Sequence, residues 1–429
     1  MSAARPRRPD EPAGPMNLIV DIALTHLRGR LRQSVVAMAG IATGVGFSIG
    51  MAALMEGSQQ DFVDTLIDAT PHIVIKDEFR EPRKQPVDQL NPDGAVALRG
   101  VKPKEELRGI RNARARLAEV EKLPGVTAAP ILRGQVVMRF GGKDIAASLI
   151  GIEVGREKKV SSIEDDMRSG SLDALYRVAN GVVMGNGLAD RLGARMGDTL
   201  TVSSPAGTIL KMKVVGLFHT GVVGIDNAES YALLKKVQVL QNRPNVINQI
   251  RIRVPDARRA RPVAKRIENL VGYRSESWDE ANEGFLEILV IRNIIMYTVV
   301  GAILMVASFG IFNVISTMTH EKTRDIAILK SLGFREAHIR RIFVIESLCL
   351  GLLGCALGWL LGWALTGILA AIEIDVRSLT EMKRLPVLFS VWHYAIATAF
   401  ALTAAVFAGW LPARRAARLD PVDIVRGAA

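Results

Sequence analysis

The chain has 429 residues, of which 49% are hydrophobic and 23% are charged, and its formal net charge is +12. This mixture argues against a bundle of membrane helices alone and indicates a membrane part joined to a soluble part. The positive charge does not by itself indicate nucleic-acid binding. The arginines cluster beside long apolar segments, where such residues anchor a chain at the inner surface of a membrane.

Four apolar segments are long enough to cross a bilayer, which takes about 20 residues. The first begins too late and runs too long for the apolar part of a cleaved signal peptide, so we interpret it as an uncleaved span. The predicted transmembrane spans cover residues 34–55, 289–319, 342–372 and 385–411.

Arginines flank the first and last spans and predict the orientation of the chain. Arg30 and Arg32 precede the first span, and Arg414 and Arg415 follow the fourth. By the positive-inside rule, both chain ends are therefore expected in the cytoplasm. The predicted cytoplasmic segments are 1–33 (with an amphipathic elbow helix), 320–341 and 412–429, and the predicted external segments are 56–288 and 373–384.

The long external segment alternates between strand and helix patterns, with turn signals such as Gly141-Gly142 between them. It contains no cysteine, since Cys349 and Cys355 both lie in the third span, so it must be stable through its own core. The fold class predicted is a membrane protein with four transmembrane α-helices and a large α+β domain inserted between the first two.

Individual elements of this domain are predicted from the same patterns. Residues 78–104 are polar and rich in proline, which indicates a loop, and residues 278–292 continue into the second span as a helical stalk. The predicted strands are 71–76, 126–140, 145–154, 199–203, 209–218 and 249–254, with helices at 105–122 and 256–270 and a strand followed by a short helix over 181–193.

Signatures of catalysis are missing from the sequence. There is no phosphate-binding Gly-x-x-x-x-Gly-Lys loop, no His-Glu-x-x-His zinc pattern and no Gly-x-Ser-x-Gly elbow. We therefore expect no catalytic, cofactor-binding or metal-binding residues in this chain. Two ionisable residues within spans, Glu346 and His393, leave alternatives open. Both could belong to a proton relay. Alternatively, Glu346 pairs with Arg340 or Arg341, and His393 anchors its span at the membrane interface.

Small residues recur at four-residue spacing within the spans, which lets helix backbones approach closely. Such ridges serve either packing within the chain or a dimer seam. The candidate packing residues are Gly40, Gly44, Gly354, Gly358 and Gly362.

The loop between the second and third spans carries a basic, amphipathic sequence, Glu321-Lys-Thr-Arg-Asp-Ile-Ala-Ile-Leu-Lys-Ser-Leu-Gly333. A short helix held between two spans on the cytoplasmic side suits a protein that receives force from a cytoplasmic partner. The plainer alternative is a helix that only lies at the membrane interface.

This motif resembles the coupling helix of MacB/LolC/FtsX-type (type VII) ABC transporter permeases. Within that family, the sequence resembles most the lipoprotein-releasing members LolC and LolE. The segment Pro412-Ala-Arg-Arg-Ala-Ala-Arg-Leu-Asp-Pro421 resembles their C-terminal motif, and residues 182–198 resemble a turn in their periplasmic core domain. Residues 78–104 and the elbow Asn17–Arg32 depart from the lipoprotein-releasing pattern.

The resemblance implies a non-catalytic permease in the bacterial inner membrane, driven by two copies of a separate ATPase that binds ATP and Mg²⁺. It also implies mechanotransmission to the periplasm, a second permease copy or a paralogue, a periplasmic carrier or adaptor protein, and contact with membrane lipid. The ATPase contact implied consists of Thr323, Arg324, Asp325, Ile326, Ile328, Leu329, Leu332 and Gly333. Candidates for a cavity that holds a lipid-modified cargo are Ile41, Val45, Ile49, Ile303, Val306 and Phe309.

The leading function on this basis is the extraction or export of an amphipathic cargo, with lipoprotein release as its first version. Two alternatives stay open: a permease linked by an adaptor to an efflux duct, and an FtsX-like regulator of a cell-wall hydrolase. The large external domain counts against the regulator.

Overall fold

The computed structural model describes residues 31–78, 109–373 and 385–417. The predicted elbow helix, the loop at 78–104, the turn at 373–384 and most of the C-terminal tail lie outside these residues. The described chain divides into a helical unit, up to Gln59 and from Leu289 onward, and a sheet unit over Gln60–Ile288.

Among the described residues, four helices are long and apolar enough to cross a membrane. The predicted spans at 34–55 and 289–319 fall within the first two of these helices, whereas the span at 342–372 ends one residue beyond the third helix and the span at 385–411 begins six residues before the fourth. The second of these helices has 39 residues, so it is about 58 Å long, roughly twice the hydrocarbon thickness of a bilayer. The helices, numbered among all helices of the chain, are α1 (Leu31–Ala69), α10 (Glu283–Glu321), α12 (Glu336–Ala371) and α13 (Val391–Ala417), with the short α11 (Thr323–Ser331) between α10 and α12.

The predicted stalk is wrong in its first turn. Ser277 and Glu280 begin a separate short helix, α9 (Trp278–Ala281), which ends at Asn282. The Asn282 side chain donates a hydrogen bond to the carbonyl of Trp278 (2.7 Å) and closes that turn. The long helix α10 therefore starts at Glu283 and not at Trp278.

A ridge of glycines on α12 packs against α1 within the helical unit. A Cβ atom added at Gly354 or Gly358 would lie 2.7 Å from the Cβ of Ile41 or Val45, and one at Gly362 would lie 2.9 Å from that of Ile49. The ridge thus serves packing within the chain. Gly44 faces α10, where its added Cβ would meet Ala307 at 3.3 Å, whereas Gly40 has no neighbour within 4 Å among the described residues.

The sheet unit is built on one mixed sheet of ten strands in the order β10-β1-β9-β2-β3-β8-β5-β7-β4, with β6 paired to β2 and β7. The pairs β3–β8 and β5–β7 are parallel. The strands are β1 (Ile73–Lys76), β2 (Thr127–Phe140), β3 (Lys143–Ile152), β4 (Met167–Gly170), β5 (Gly181–Gly185), β6 (Thr199–Ser203), β7 (Ile209–Phe218), β8 (Glu229–Leu233), β9 (Gln249–Arg253) and β10 (Ser275–Ser277).

Helices cover the sheet and enclose two apolar cores. The larger core includes Ile75, Leu149 and Ile267, and the smaller one includes Ile150, Leu172 and Phe218. Leu149 and Ile150 are neighbours on β3 and enter different cores because successive strand residues face opposite sides of a sheet. The helices of this unit are α2 (Ala113–Val120), α3 (Val154–Val160), α4 (Ala174–Arg177), α5 (Asn186–Leu192), α6 (Val223–Asp226), α7 (Leu234–Leu240), α8 (Ala260–Val271) and α9.

The predicted strands at 199–203 and 209–218 are confirmed to the residue, and the other predicted strands are confirmed with ends that differ by one or two residues. The predicted helix at 105–122 is found over Ala113–Val120, while residues 109–112 and 121–122 are not helical and residues 105–108 lie outside the described residues. Strands β4, β8 and β10 were not predicted.

His72, just before β1, makes the stability of the sheet unit dependent on pH. Its Nδ1 atom lies 3.0 Å from the carbonyl oxygen of Val254, and burial lowers its pKa below the usual 6.5. The unfolded chain therefore binds this proton more readily, so the contribution of the neutral ring is present above about pH 6.5 and is lost as the pH falls. We expect the denaturation midpoint of the sheet unit to drop between pH 7 and 5, and to drop less in His72→Gln. Identical pH profiles for the two proteins would contradict this.

Candidate functional site: the short helix α11

The helix α11 is held between two long apolar helices by short connections. Lys322 separates it from α10, and Leu332 ends it. Gly333 follows with a φ of +96°, a left-handed conformation that favours glycine. This accounts for the glycine at the end of the motif, because the chain must turn there before α12 begins at Glu336.

The inner face of α11 packs against its neighbours in the helical unit. Ile326 and Ala327 are buried, and Ile326 belongs to the same apolar cluster as Ile315 and Ile339. Lys330 donates a hydrogen bond from Nζ to the carbonyl oxygen of Ala417 at the end of α13 (2.9 Å). Through these residues α11 contacts α10, α12 and α13.

The outer face of α11 presents two charged and two apolar side chains to the surroundings. Arg324 and Asp325 are exposed, and Ile328 and Leu332 are 51% and 73% exposed. Large exposed apolar side chains bordered by charges are typical of a contact surface for another protein. Asp325 also pairs with Lys322 (2.6 Å), and Thr323 donates a hydrogen bond to the carbonyl of His320 (2.6 Å).

The structure corrects the predicted contact set at two positions. Ile326 is 3% exposed and packs inward, so it does not belong to the exposed face of the helix. Leu329 packs against Ile342 of α12 and is only partly accessible. A helix of this amphipathic kind divides its apolar residues between two faces, and the sequence motif alone does not show which face is turned inward.

Comparisons with known proteins identify the family of the chain. Residues 34–270, more than half of the chain, match the family model of the MacB-like periplasmic core domain, and residues 297–421 match that of the FtsX-like permease C-terminal domain. The chain belongs to this permease family. Its sheet unit and the apolar helices on either side of it in sequence correspond to the fold class predicted from the sequence.

Relatives of this permease match it over nearly its whole length. The lipoprotein-releasing system transmembrane protein LolC of Neisseria meningitidis is 26% identical over 94% of this chain and 98% of its own. The corresponding LolE of Haemophilus influenzae is 25% identical over 96% of this chain and 99% of its own. The macrolide export ATP-binding/permease protein MacB of Vibrio parahaemolyticus is 22% identical over 94% of this chain but only 59% of its own.

The predicted cargo cavity is wrong for the residues of α1. Ile41, Val45 and Ile49 are at most 2% exposed because they fill the grooves of the glycine ridge on α12. On α10 the permease presents Val306 and Phe309 to its surroundings, 70% and 59% exposed, while Ile303 is half-buried. The sequence could not distinguish the two sets, since every residue that faces lipid or another helix is apolar.

The two ionisable residues of the spans occupy different surroundings in the permease. Glu346 is completely buried in α12, whereas Arg341 is exposed. His393, at the start of α13, contacts the carboxylate of Glu56 on α1 through Nε2. This contact ties the start of α13 to the middle of α1, a role that the sequence did not reveal.

About two turns of α1 around Glu56 make further polar contacts that sequence reasoning missed. Arg292 of α10 donates to the carbonyl of Met55 (3.1 Å), and Asn293 donates to the side chain of Gln59 (2.9 Å). The backbone N–H of Leu388 donates to the carbonyl of Ala53 (2.9 Å). Polar residues at the ends of three predicted spans are the only signal in the sequence that could have indicated this cluster.

Within the described ranges, no three His, Cys, Asp or Glu side chains are grouped closely enough to hold a metal ion.

Proposed function

We propose that this permease is driven mechanically by a separate ATPase that docks on the outer face of α11. The observation that supports this is the division of α11 into a packed inner face and an exposed outer face of Arg324, Asp325, Ile328 and Leu332. The apolar pair would fill a groove on the partner, and the charged pair would fix its register. ATP and Mg²⁺ would be bound by two copies of that partner, and this chain would carry no catalytic residue.

The cargo proposed is amphipathic, and lipoprotein release from the inner membrane is the version with most support. The LolC and LolE relatives carry that function in their names and match 94% and 96% of this chain. Exposed apolar residues of α10, such as Val306 and Phe309, offer a surface that suits acyl chains. A periplasmic carrier would then receive the cargo, and a second copy of the chain or a paralogue would complete the transporter.

Export through an adaptor-linked duct is the second candidate. The supporting observation is the MacB relative, whose name includes both ATP binding and permease, and of which this chain matches 59%. In that arrangement the ATPase belongs to the same polypeptide, whereas here it would be a separate chain. Both candidates place the chain ends and α11 in the cytoplasm and the sheet unit in the periplasm.

The test is co-purification of the permease with its ATPase from membranes. Replacing Ile328 and Leu332 together by aspartate should reduce the bound ATPase at least about tenfold, because both apolar contacts become charged. The matched control is Met196→Asp, an equally exposed apolar position in the sheet unit (51%), which should leave the bound ATPase unchanged.

Full retention of the ATPase by a folded, membrane-inserted double variant would refute the docking surface. A loss that Met196→Asp reproduces would also count against it, because the effect would then not be specific to α11. Release assays with a lipoprotein and with a macrolide, made on the intact complex, would separate the two candidate cargoes.

A further inference from the structure

A cluster of charged residues projects from one face of the sheet. Because side chains alternate between the two faces along each strand, apolar side chains would be expected on this face. Val74 of β1 stands opposite Arg251 of β9 and Glu276 of β10, so these three residues lie in one row on one face. Arg133 of β2 and Tyr231 of β8 each stand opposite Ile150 of β3, which places them on a common face in another row. The apolar core on this face includes Ile150 and Tyr231 but none of these charged residues.

These residues line a cavity of about 420 Å³ within the sheet unit. A volume of this size falls in the range that small-molecule sites occupy. The charged residues and the tyrosine that line it are Lys76, Arg133, Glu229, Tyr231, Arg251 and Glu276.

The acidic groups of the cavity are fully engaged by the protein. Glu229 accepts from Arg133 (2.7 Å) with one carboxylate oxygen and from the hydroxyl of Tyr231 (2.9 Å) with the other. Glu276 accepts from Arg274 (2.8 Å) with one oxygen and contacts Lys76 with the other. Both carboxylates are about nine-tenths buried, so neither is available to a cationic ligand.

The cationic groups at the opening of the cavity are not fully engaged by the protein. Lys76 and Arg133 are 33% and 38% exposed. Among the residues that the structure describes, each has one glutamate partner, whereas lysine carries three N–H donors and arginine five. The opening of the cavity therefore offers further N–H donors of two cationic side chains to a ligand.

Arg251 and Tyr231 line the buried end of the cavity beneath this opening. Arg251 pairs with the buried Glu157 (2.6 Å), and its guanidinium lies 5.6 Å from the centre of the Tyr231 ring. Burial raises the pKa of Tyr231 well above its usual value, so its hydroxyl stays protonated and donates to Glu229. Apolar residues complete the wall, among them Pro71, Val74 and Trp278.

We propose that this cavity binds a small amphipathic anion, a molecule with one carboxylate or phosphate group and a compact apolar part. The anion would lie between Lys76 and Arg133, where charge-assisted hydrogen bonds are available. The apolar part would lie against Pro71 and Trp278. This site is separate from α11 and does not depend on the ATPase.

The experiment is calorimetric titration of the full-length permease in detergent with phenyl phosphate, benzoate and benzylammonium. The three probes share one ring and differ in the charge they carry. At least one of the two anions should bind saturably, and benzylammonium should not. Arg133→Gln and Lys76→Gln should each weaken anion binding about tenfold, the effect of losing one charge-assisted hydrogen bond.

The matched control is Arg139→Gln on the same strand, because Arg139 is exposed and lies outside the cavity. It should bind the anion as the wild type does. Hydrogen exchange of β2 and β9 checks that each variant keeps the native sheet. Absence of saturable anion binding to the wild type would overturn the proposal. Wild-type affinity for the anion in both Arg133→Gln and Lys76→Gln, or binding of benzylammonium as tight as that of the anions, would overturn it as well.

Discussion

Replacing Gly358 by valine should prevent α1 and α12 from packing and should cost the helical unit about 3 kcal/mol or more. An added Cβ alone would lie 2.7 Å from the Cβ of Val45 and 3.1 Å from the carbonyl oxygen of Ala42. The second contact involves backbone, which cannot turn away as a flexible side chain can. We expect a large fall in the thermal midpoint of the detergent-solubilised protein and a lower yield from membranes.

Gly367→Val on the same helix is the matched control for this prediction. Gly367 is exposed and has no neighbour within 4 Å, so valine there meets no other helix. Its thermal midpoint should stay close to that of the wild type. If Gly358→Val and Gly367→Val melted alike, the loss would reflect glycine in a helix in general, and the close approach of α1 to α12 would be unsupported.

The second large effect is expected in the sheet unit, where Glu157→Gln should destabilise the fold by about 3–5 kcal/mol. Glu157 is completely buried, and its carboxylate pairs with the guanidinium of Arg251 (2.6 Å). Burial alone would lower the pKa of Arg251, but the neighbouring Tyr231 and Glu157 raise it, so the arginine stays charged. The variant would leave that charge buried without its carboxylate.

Hydrogen exchange of the amides in β9, followed by mass spectrometry, measures this loss within the sheet unit alone. The paired variant Glu157→Leu with Arg251→Met should recover much of the stability, because no buried charge then remains. Asp144→Asn is the matched control, since it breaks the exposed pair with Arg139 (2.6 Å). It should produce no measurable change, and an effect as large as that of Glu157→Gln would contradict the argument from burial.

The strands that could be predicted are those in which the local sequence and the fold agree. Thr199–Ser203 and Ile209–Phe218 alternate apolar and polar residues and are bounded by turn residues, so their ends follow from the sequence. Met167–Gly170 and Ser275–Ser277 are short and lack such alternation. They are strands because β7 and β1 offer them partners, and a partner distant in sequence leaves no local signal.

The position of the candidate site in the chain could be predicted from the sequence, but which of its residues are buried and which are exposed could not. The motif at 321–333 identified the helix and the family, while the burial of Ile326 and the exposure of Ile328 depend on where α10, α12 and α13 lie around it. The cargo cavity failed for a related reason. The apolar side chain of Val45 shows that this position is shielded from water. It does not show whether the side chain packs against the glycine ridge of α12 or faces lipid.

The order of strands bears on how the chain folds during synthesis. The first strand, β1, is held between β9 and β10, so its partners appear only after the ribosome has passed Gln249. At about 5–20 residues per second, roughly ten seconds to half a minute separate the appearance of β1 from that of its first neighbour. During that interval Ile73 and Ile75, both completely buried in the folded protein, stay on an unpaired strand. Until β9 appears, β1 is therefore open to edge-to-edge association with another chain.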